Sequence, residues 1–220
     1  MKLIDLSQPI YHDSPRYPAD PPIESRLIST HEANGWQVEL LTLTSHSGSH
    51  IDAPLHKYAG APAIDDFPLE RFTGDAIILD YRQCRPGQPF TSSMLNRTLR
   101  GEKNLEERII LIATGWGAKG SSADPLNTPL PFLSPDGAEW LAEQGIRGIG
   151  IDHCSIGGKV EPSNRLTHEW LLQANIWVVE NLSLPEEVFA LPQPVKFWCL
   201  PINLRKHGAA FCRPVIVLSD

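Results

Sequence analysis

Ser45-His46-Ser47-Gly48-Ser49-His50-Ile51-Asp52-Ala53-Pro54-Leu55-His56 gathers three histidines and one aspartate within eleven residues. Imidazole and carboxylate are the usual ligands of zinc, manganese and ferrous iron. The stretch follows a strand candidate, Val38 to Thr44. A helix would put His46 and His50 on one face, but Asp52 would fall off it. Gly48 and Pro54 also oppose a helix. The segment therefore reads as a strand-end loop, with Gly48 turning the chain so that both rings reach one point.

Outward from this stretch, short apolar runs dominate. Ala76–Tyr81, Ile109–Ala113, Gly148–Ile151, Ile176–Val179, Lys196–Leu200 and Val215–Leu218 have strand length and composition. Helices are fewer. Ser134 is an N-cap before Pro135, and the following DGAEWLAEQG ends in glycine. Thr167–Asn175 reads as a second helix with Thr167 as its cap, and Thr91–Leu99 as a third. Many strands with a few interspersed helices predict an α/β domain: a mixed β-sheet core with flanking helices. The pairing of the strands stays open. Prolines cluster at Pro15, Pro18, Pro21 and Pro22 and again at Pro125, Pro129, Pro131 and Pro135, which marks extended loops.

Composition bounds the function. The 220 residues are compatible with one domain over 1–220, and no repeat or low-complexity linker divides them. At 41% hydrophobic and 20% charged the chain is ordinary for a globular protein. A net charge of -7 without a dense basic run excludes phosphate-backbone binding, so no nucleic-acid partner is expected. No run is long and apolar enough for a spanning helix, and no signal peptide is recognisable, so neither a membrane nor secretion is expected. Cys84, Cys154, Cys199 and Cys212 have no CxxC spacing and read as thiols in a reducing cytoplasm. A serine hydrolase lacks support, because there is no GxSxG.

The motif HxGxHxDxPxH, preceded by Asp5-Leu6-Ser7-Gln8-Pro9, resembles the cyclase family that includes bacterial kynurenine formamidase and isatin hydrolase. The likeness runs along nearly the whole chain. Tyr17-Pro18-Ala19-Asp20-Pro21 is similar to the family's YPGDP loop, with Ala19 for glycine. Ser49 stands where threonine is common. Phe67-Pro68-Leu69-Glu70, Thr114-Gly115-Trp116, Gly150-Ile151-Asp152 with Ser155, Thr167-His168 and Val179-Glu180-Asn181-Leu182 follow in the family's order. The resemblance implies the family's swivelling β/β/α-like fold. It implies one or two divalent metal ions per chain, zinc in the first place with manganese or iron as alternatives. His46, His50 and Asp52 would hold the first ion. Asp52, His168 and Glu180 would hold the second, and His56 would be the catalytic acid/base. Glu180 after four apolar residues is an odd core residue unless paired or bound to metal.

The implied activity is hydrolysis of a small amide, with an arylformamidase of N-formylkynurenine type leading. A cyclic-amide or lactone hydrolase is the alternative, and a non-catalytic metal- or small-molecule-binding member is the contrasting class. Trp36, Tyr17 and Trp116 are candidates for an aromatic wall. The resemblance also implies a homodimer or homotetramer whose neighbouring subunits can line the site. His12, His31 and His207 read as solvated, and His153 is left without an assigned role.

Overall fold

The computed structural model describes residues 1–17, 19–102, 104–117 and 129–218. Pro18 and Pro125 of the proline clusters lie outside them. In chain order the elements are β1 (Lys2–Asp5), β2 (Glu24–Ser29), α1 (His31–Asn34), β3 (Val38–Thr42), β4 (His50–Asp52), β5 (Thr73–Asp80), β6 (Pro89–Phe90), α2 (Ser92–Thr98), β7 (Ile109–Ala113), β8 (Phe132–Leu133), α3 (Pro135–Glu143), β9 (Gly148–Ile151), α4 (Ser163–Gln173), β10 (Trp177–Glu180), β11 (Val195–Trp198), β12 (Ala209–Phe211) and β13 (Val215–Leu218).

Nine of the strands form one sheet in the order β1-β13-β11-β5-β7-β9-β10-β4-β12. Its centre, β5-β7-β9-β10, is parallel. The flanks are antiparallel, which makes the sheet mixed. The α/β expectation holds. The Ile-rich run of β7 is buried at every position, as a central parallel strand covered on both faces must be.

The side-chain alternation of the strands feeds two cores. One face carries Ile51, Ala76, Leu111, Trp177, Val179 and Phe197. The other carries Ile77, Ile110, Ile149, Ile151 and Val178 and packs under the helices through Leu95, Leu141 and Leu171. The helix signals were local and hold well. The Ser134 hydroxyl accepts from Gly137 N–H with Pro135 in the first turn, Thr91 caps α2 through Met94 N–H, and Gly145 after α3 takes φ +68°.

One expectation needs correction, and one strand pairs where the sequence left its pairing open. Helix α4 begins at Ser163, not at Thr167. Thr167 is buried inside it and donates to the Leu133 carbonyl at 2.9 Å, so its hydroxyl anchors the helix to β8 rather than capping it. The strand read over Val38–Thr44 forms as β3, but it pairs only with β2 and stays outside the main sheet. Every residue of β3 is exposed. Its apolar residues look outward rather than into either core.

Gly148 stands opposite Trp177 in the β9–β10 ladder, and a Cβ there would overlap the indole. Trp177 is fully buried and its Nε1 donates to the Arg71 carbonyl at 3.0 Å, so the ring has nowhere to go. Overpacking of a filled core costs about 1–3 kcal/mol. At ~2–4 °C per kcal/mol for a chain of this size, Gly148→Ala is expected to lower Tm by about 2–12 °C in a thermal melt.

Candidate metal centre

The site grows from the β4–β10 ladder. His50 and Asp52 are two residues apart on β4, so their side chains share a face. Glu180 on β10 lies directly across from His50, and Val178 across from Asp52. This is the helix-side face, and α4 lowers His168 onto it. Ile51 and Val179 point the other way, into the apolar core. His46 arrives from a turn in which Ser47 N–H donates to the Thr44 carbonyl, and Gly48 takes φ +62° to lead the chain into β4. Reading 46–52 as a strand-end loop is therefore right for His46 and wrong for His50 and Asp52. The His-x-Asp alternation was the overlooked strand signal.

A polar frame holds this turn. The Asn181 amide donates to the Gly48 carbonyl at 3.0 Å, and the Ser49 hydroxyl donates to the Asn181 carbonyl at 2.7 Å while accepting from Gln8 N–H. Ser183 N–H donates to the Leu6 carbonyl. The opening Asp5–Pro9 segment and the Asn181-Leu182 pair are thus braces for the histidine turn. Asp152 plays the same part nearby, accepting from the N–H groups of Thr114 and Gly115 and from the Thr114 hydroxyl.

Two carboxylates are buried together, Asp52 at 1% and Glu180 at 5% exposure. Around them His46 Nδ1 lies 2.9 Å and His50 Nε2 3.5 Å from Asp52 Oδ1. His50 Nε2 is 3.8 Å from Glu180 Oε2, and His168 Nε2 is 3.5 Å from Glu180 Oε1 and 3.9 Å from Asp52 Oδ2. His46, His50 and Asp52 form one group able to hold an ion, and Asp52, His168 and Glu180 form another. Asp52 belongs to both.

The donor set fits divalent cations on its own chemistry. His50 Nδ1 faces the Gly48 carbonyl at 2.9 Å, and His168 Nδ1 faces the Asn164 carbonyl at 2.8 Å. These contacts assign the proton to Nδ1 and leave both Nε2 lone pairs aimed at carboxylates. Lone pairs facing carboxylates repel unless a positive charge stands between them. Asp52 Oδ1 is also buried without an aligned hydrogen bond. Without an ion, protons must fill the gap. Burial disfavours charge on His168, yet the contact with Glu180 and the charge of Asp52 push it up to about 9. His46 is raised too, its Asp52 contact overcoming burial. Burial works against ionised Asp52, but His46, His50 and His56 hold it well below the usual carboxylate range.

His56 sits apart from the ligand groups, on the turn after β4. Its ring is 4.3 Å from His46 and 6.1 Å from His168, centroid to centroid. It remains open to solvent at the rim, and lost hydration together with the cationic histidines nearby lowers its pKa. The pocket, about 390 Å³, is also lined by Tyr17, Asp20, Lys57 and Arg165. Trp116 borders a neighbouring cavity, and Trp36 is 74% exposed, so Trp36 supplies no wall within this chain. His12, His31 and His207 are exposed, as expected. His153 is buried and outside both ligand groups.

The model of the putative cyclase family matches residues 4–157. A kynurenine formamidase of Bordetella petrii is 32% identical over 204 residues, covering 87% of this chain and 90% of its own. That of Bordetella avium is 30% identical, covering 98% and 97%. Among solved structures, isatin hydrolase A from Ralstonia solanacearum superposes with a TM-score of 0.85 at 21% identity, covering 99% of this chain and 92% of its own. A potential metal-dependent hydrolase with cyclase activity gives 0.76 at 24%, covering 98% and 96%. With the same motif order, the same fold and this extent of identity, the chain belongs to the cyclase family.

Proposed function

We propose that residues 1–220 act as one metal-dependent hydrolase domain for a small amide, an arylformamidase of N-formylkynurenine type. The observation that carries this reading is the pair of ligand groups joined at Asp52, with an unliganded histidine, His56, beside them. The kynurenine formamidases similar to this chain over most of its length supply the substrate class. His46, His50 and Asp52 would hold one divalent ion, zinc first, with manganese or iron as alternatives. Asp52, His168 and Glu180 would hold a second. A bound ion acidifies water and polarises a carbonyl oxygen.

The chain's own groups do the rest. Glu180 Oε1 is fixed by Ile156 N–H at 2.8 Å, and the carbonyl contacts of His50 and His168 fix their rings. The lowered pKa of His56 keeps its imidazole neutral near pH 7, so it can accept a proton from the attacking water. It then returns that proton to the leaving nitrogen, and the amide plus water become a carboxylate and an amine. A purely structural metal site has no use for such a histidine, and structural zinc favours cysteine, which is missing from both ligand groups.

No helix among the described residues is long and apolar enough to cross a membrane, and we place the enzyme in the cytoplasm. Leu27, Ile28, Trp36, Leu40 and Leu41 are exposed on or beside the β2–β3 hairpin. Apolar surface of this kind supports a homodimer or homotetramer.

Three outcomes are expected. The purified protein carries up to two divalent ions per chain by elemental analysis, and chelation abolishes N-formylkynurenine hydrolysis. Bound metal with turnover of isatin instead would move the substrate to cyclic amides, and no metal under any reconstitution would refute the reading. His56→Ala keeps its metal while kcat falls by about 10²–10⁴-fold, the usual range for a lost acid/base. Asp52→Asn, which keeps the side-chain shape, loses both metal and turnover because both groups share that carboxylate.

A further inference from the structure

Two of the four cysteines meet. Cys199 follows β11 and Cys212 follows β12, and their sulfurs lie 3.3 Å apart, the Cys199 thiol donating to Cys212. The backbone is held on both sides. Cys199 N–H donates to the Phe72 carbonyl and Cys212 N–H to the Ser49 carbonyl, each at 2.9 Å. Pro201 and Cys212 form an antiparallel bridge, and Ile202 N–H donates to the Phe211 carbonyl at 3.0 Å. Five strands separate β11 from β12 in the sheet order, so these contacts mark where the curled sheet returns on itself. No step of the proposed reaction uses either thiol.

The two thiols differ in access. Cys199 is fully buried, and burial together with the Cys212 sulfur pushes its thiol well up. Cys212 is partly exposed, so a small oxidant reaches it first. A sulfenic acid formed there already has a thiol in contact with it, and sulfenic acids condense with a neighbouring thiol. The remaining approach, from 3.3 Å to the ~2.05 Å of a bonded pair, is small.

We propose that Cys199 and Cys212 form a peroxide-sensitive modification site, whose disulfide ties β12 to the end of β11. The oxidant is a hydroperoxide. Cys212 Sγ bonds to one peroxide oxygen as the O–O bond breaks, which leaves a sulfenic acid. The departing oxygen takes the thiol proton and, for hydrogen peroxide, leaves as water. Cys199 Sγ then attacks Cys212 Sγ. The S–S bond forms, the S–O bond breaks, and the hydroxide departs with the Cys199 proton as a second water. The two thiols give up two electrons, and the peroxide takes them. Strand β12 lies along β4, with Ala209 opposite Asp52 and Phe211 opposite His50. The bond therefore braces the neighbour of the strand that carries both residues. Disulfides of cytoplasmic proteins are mostly transient and redox-sensing, the use that this pair suits. The site is independent of the hydrolase reading.

The test exposes the purified, reduced full chain to hydrogen peroxide, then caps the remaining thiols with iodoacetamide in denaturant for peptide mass mapping. The expected product is a disulfide joining the Cys199 and Cys212 peptides, reversed by dithiothreitol. Closing a loop of roughly 15 residues should raise Tm by about 6–12 °C over the reduced chain. Cys212→Ser, at a partly exposed position, and Cys199→Ala, which keeps the core apolar, should each melt alike with and without peroxide. Absence of the link overturns the proposal, as does a link made through Cys84 or Cys154 instead, or Cys212 accumulating as sulfinic acid. A link that leaves Tm unchanged overturns the bracing. A peroxide-induced rise that persists in Cys212→Ser places its source elsewhere and overturns it too.

Discussion

Two carboxylates buried side by side set the terms for everything around them. Asp52 and Glu180 sit on adjacent strands at a few per cent exposure, where ionised groups are costly unless positive charge is close. The fold answers with histidines at two distances. His46 and His50 come from the same segment as Asp52, whereas His168 comes from a helix more than a hundred residues later in the sequence. The neutral histidines cannot complete the neutralisation, because their Nδ1 protons are directed to backbone carbonyls. The remaining deficit must be met by protons or by metal ions, and a divalent ion meets it without charging the rings. The raised His168 is the proton-filled form of the same requirement.

That requirement explains why the sheet is built as it is. A residue on β4 has two neighbours, β10 and β12, and only β10 presents a carboxylate to it. The alternation that sends His50 and Asp52 toward α4 sends Ile51 into the opposite core, where it is fully buried. One three-residue strand thus serves both chemistry and packing, and a one-residue slip would exchange the two sets. The polar frame of Gln8, Ser49 and Asn181 guards against that slip by fixing the turn that feeds the strand.

Legibility in the sequence followed the range of the interactions. Caps, prolines and apolar runs act over a few residues, so α2, α3 and the central strands could be read directly. The candidate ligand residues stood out in the sequence because their types are chemically special and their order follows a family pattern. What failed was long-range. Nothing local distinguishes VELLT in an outlying hairpin from the same residues in a sheet. Thr167 carries a capping side chain, but its partner is the Leu133 carbonyl of another element. The short strands β1, β4 and β12 exist through their ladders rather than through propensity. Trp36 looked like a pocket residue by type and is placed on the surface by a four-residue helix whose end Gly35 turns at φ +77°.

At the metal pocket the chain has acceptors in excess, and the missing partner is a cation. The stretch of wall formed by Cys154 and Asn181 adds no further negative charge. Burial and the nearby Glu180 carboxylate push the Cys154 thiol up to about 11, so it stays protonated and neutral there. Asn181, in the same wall, is held by its neighbours: its side-chain amide donates to the Gly48 carbonyl and its backbone carbonyl accepts from the Ser49 hydroxyl. Asn181, which frames the histidine turn, thus also forms part of the wall of the pocket, and the buried negative charge inside it is left to Asp52 and Glu180.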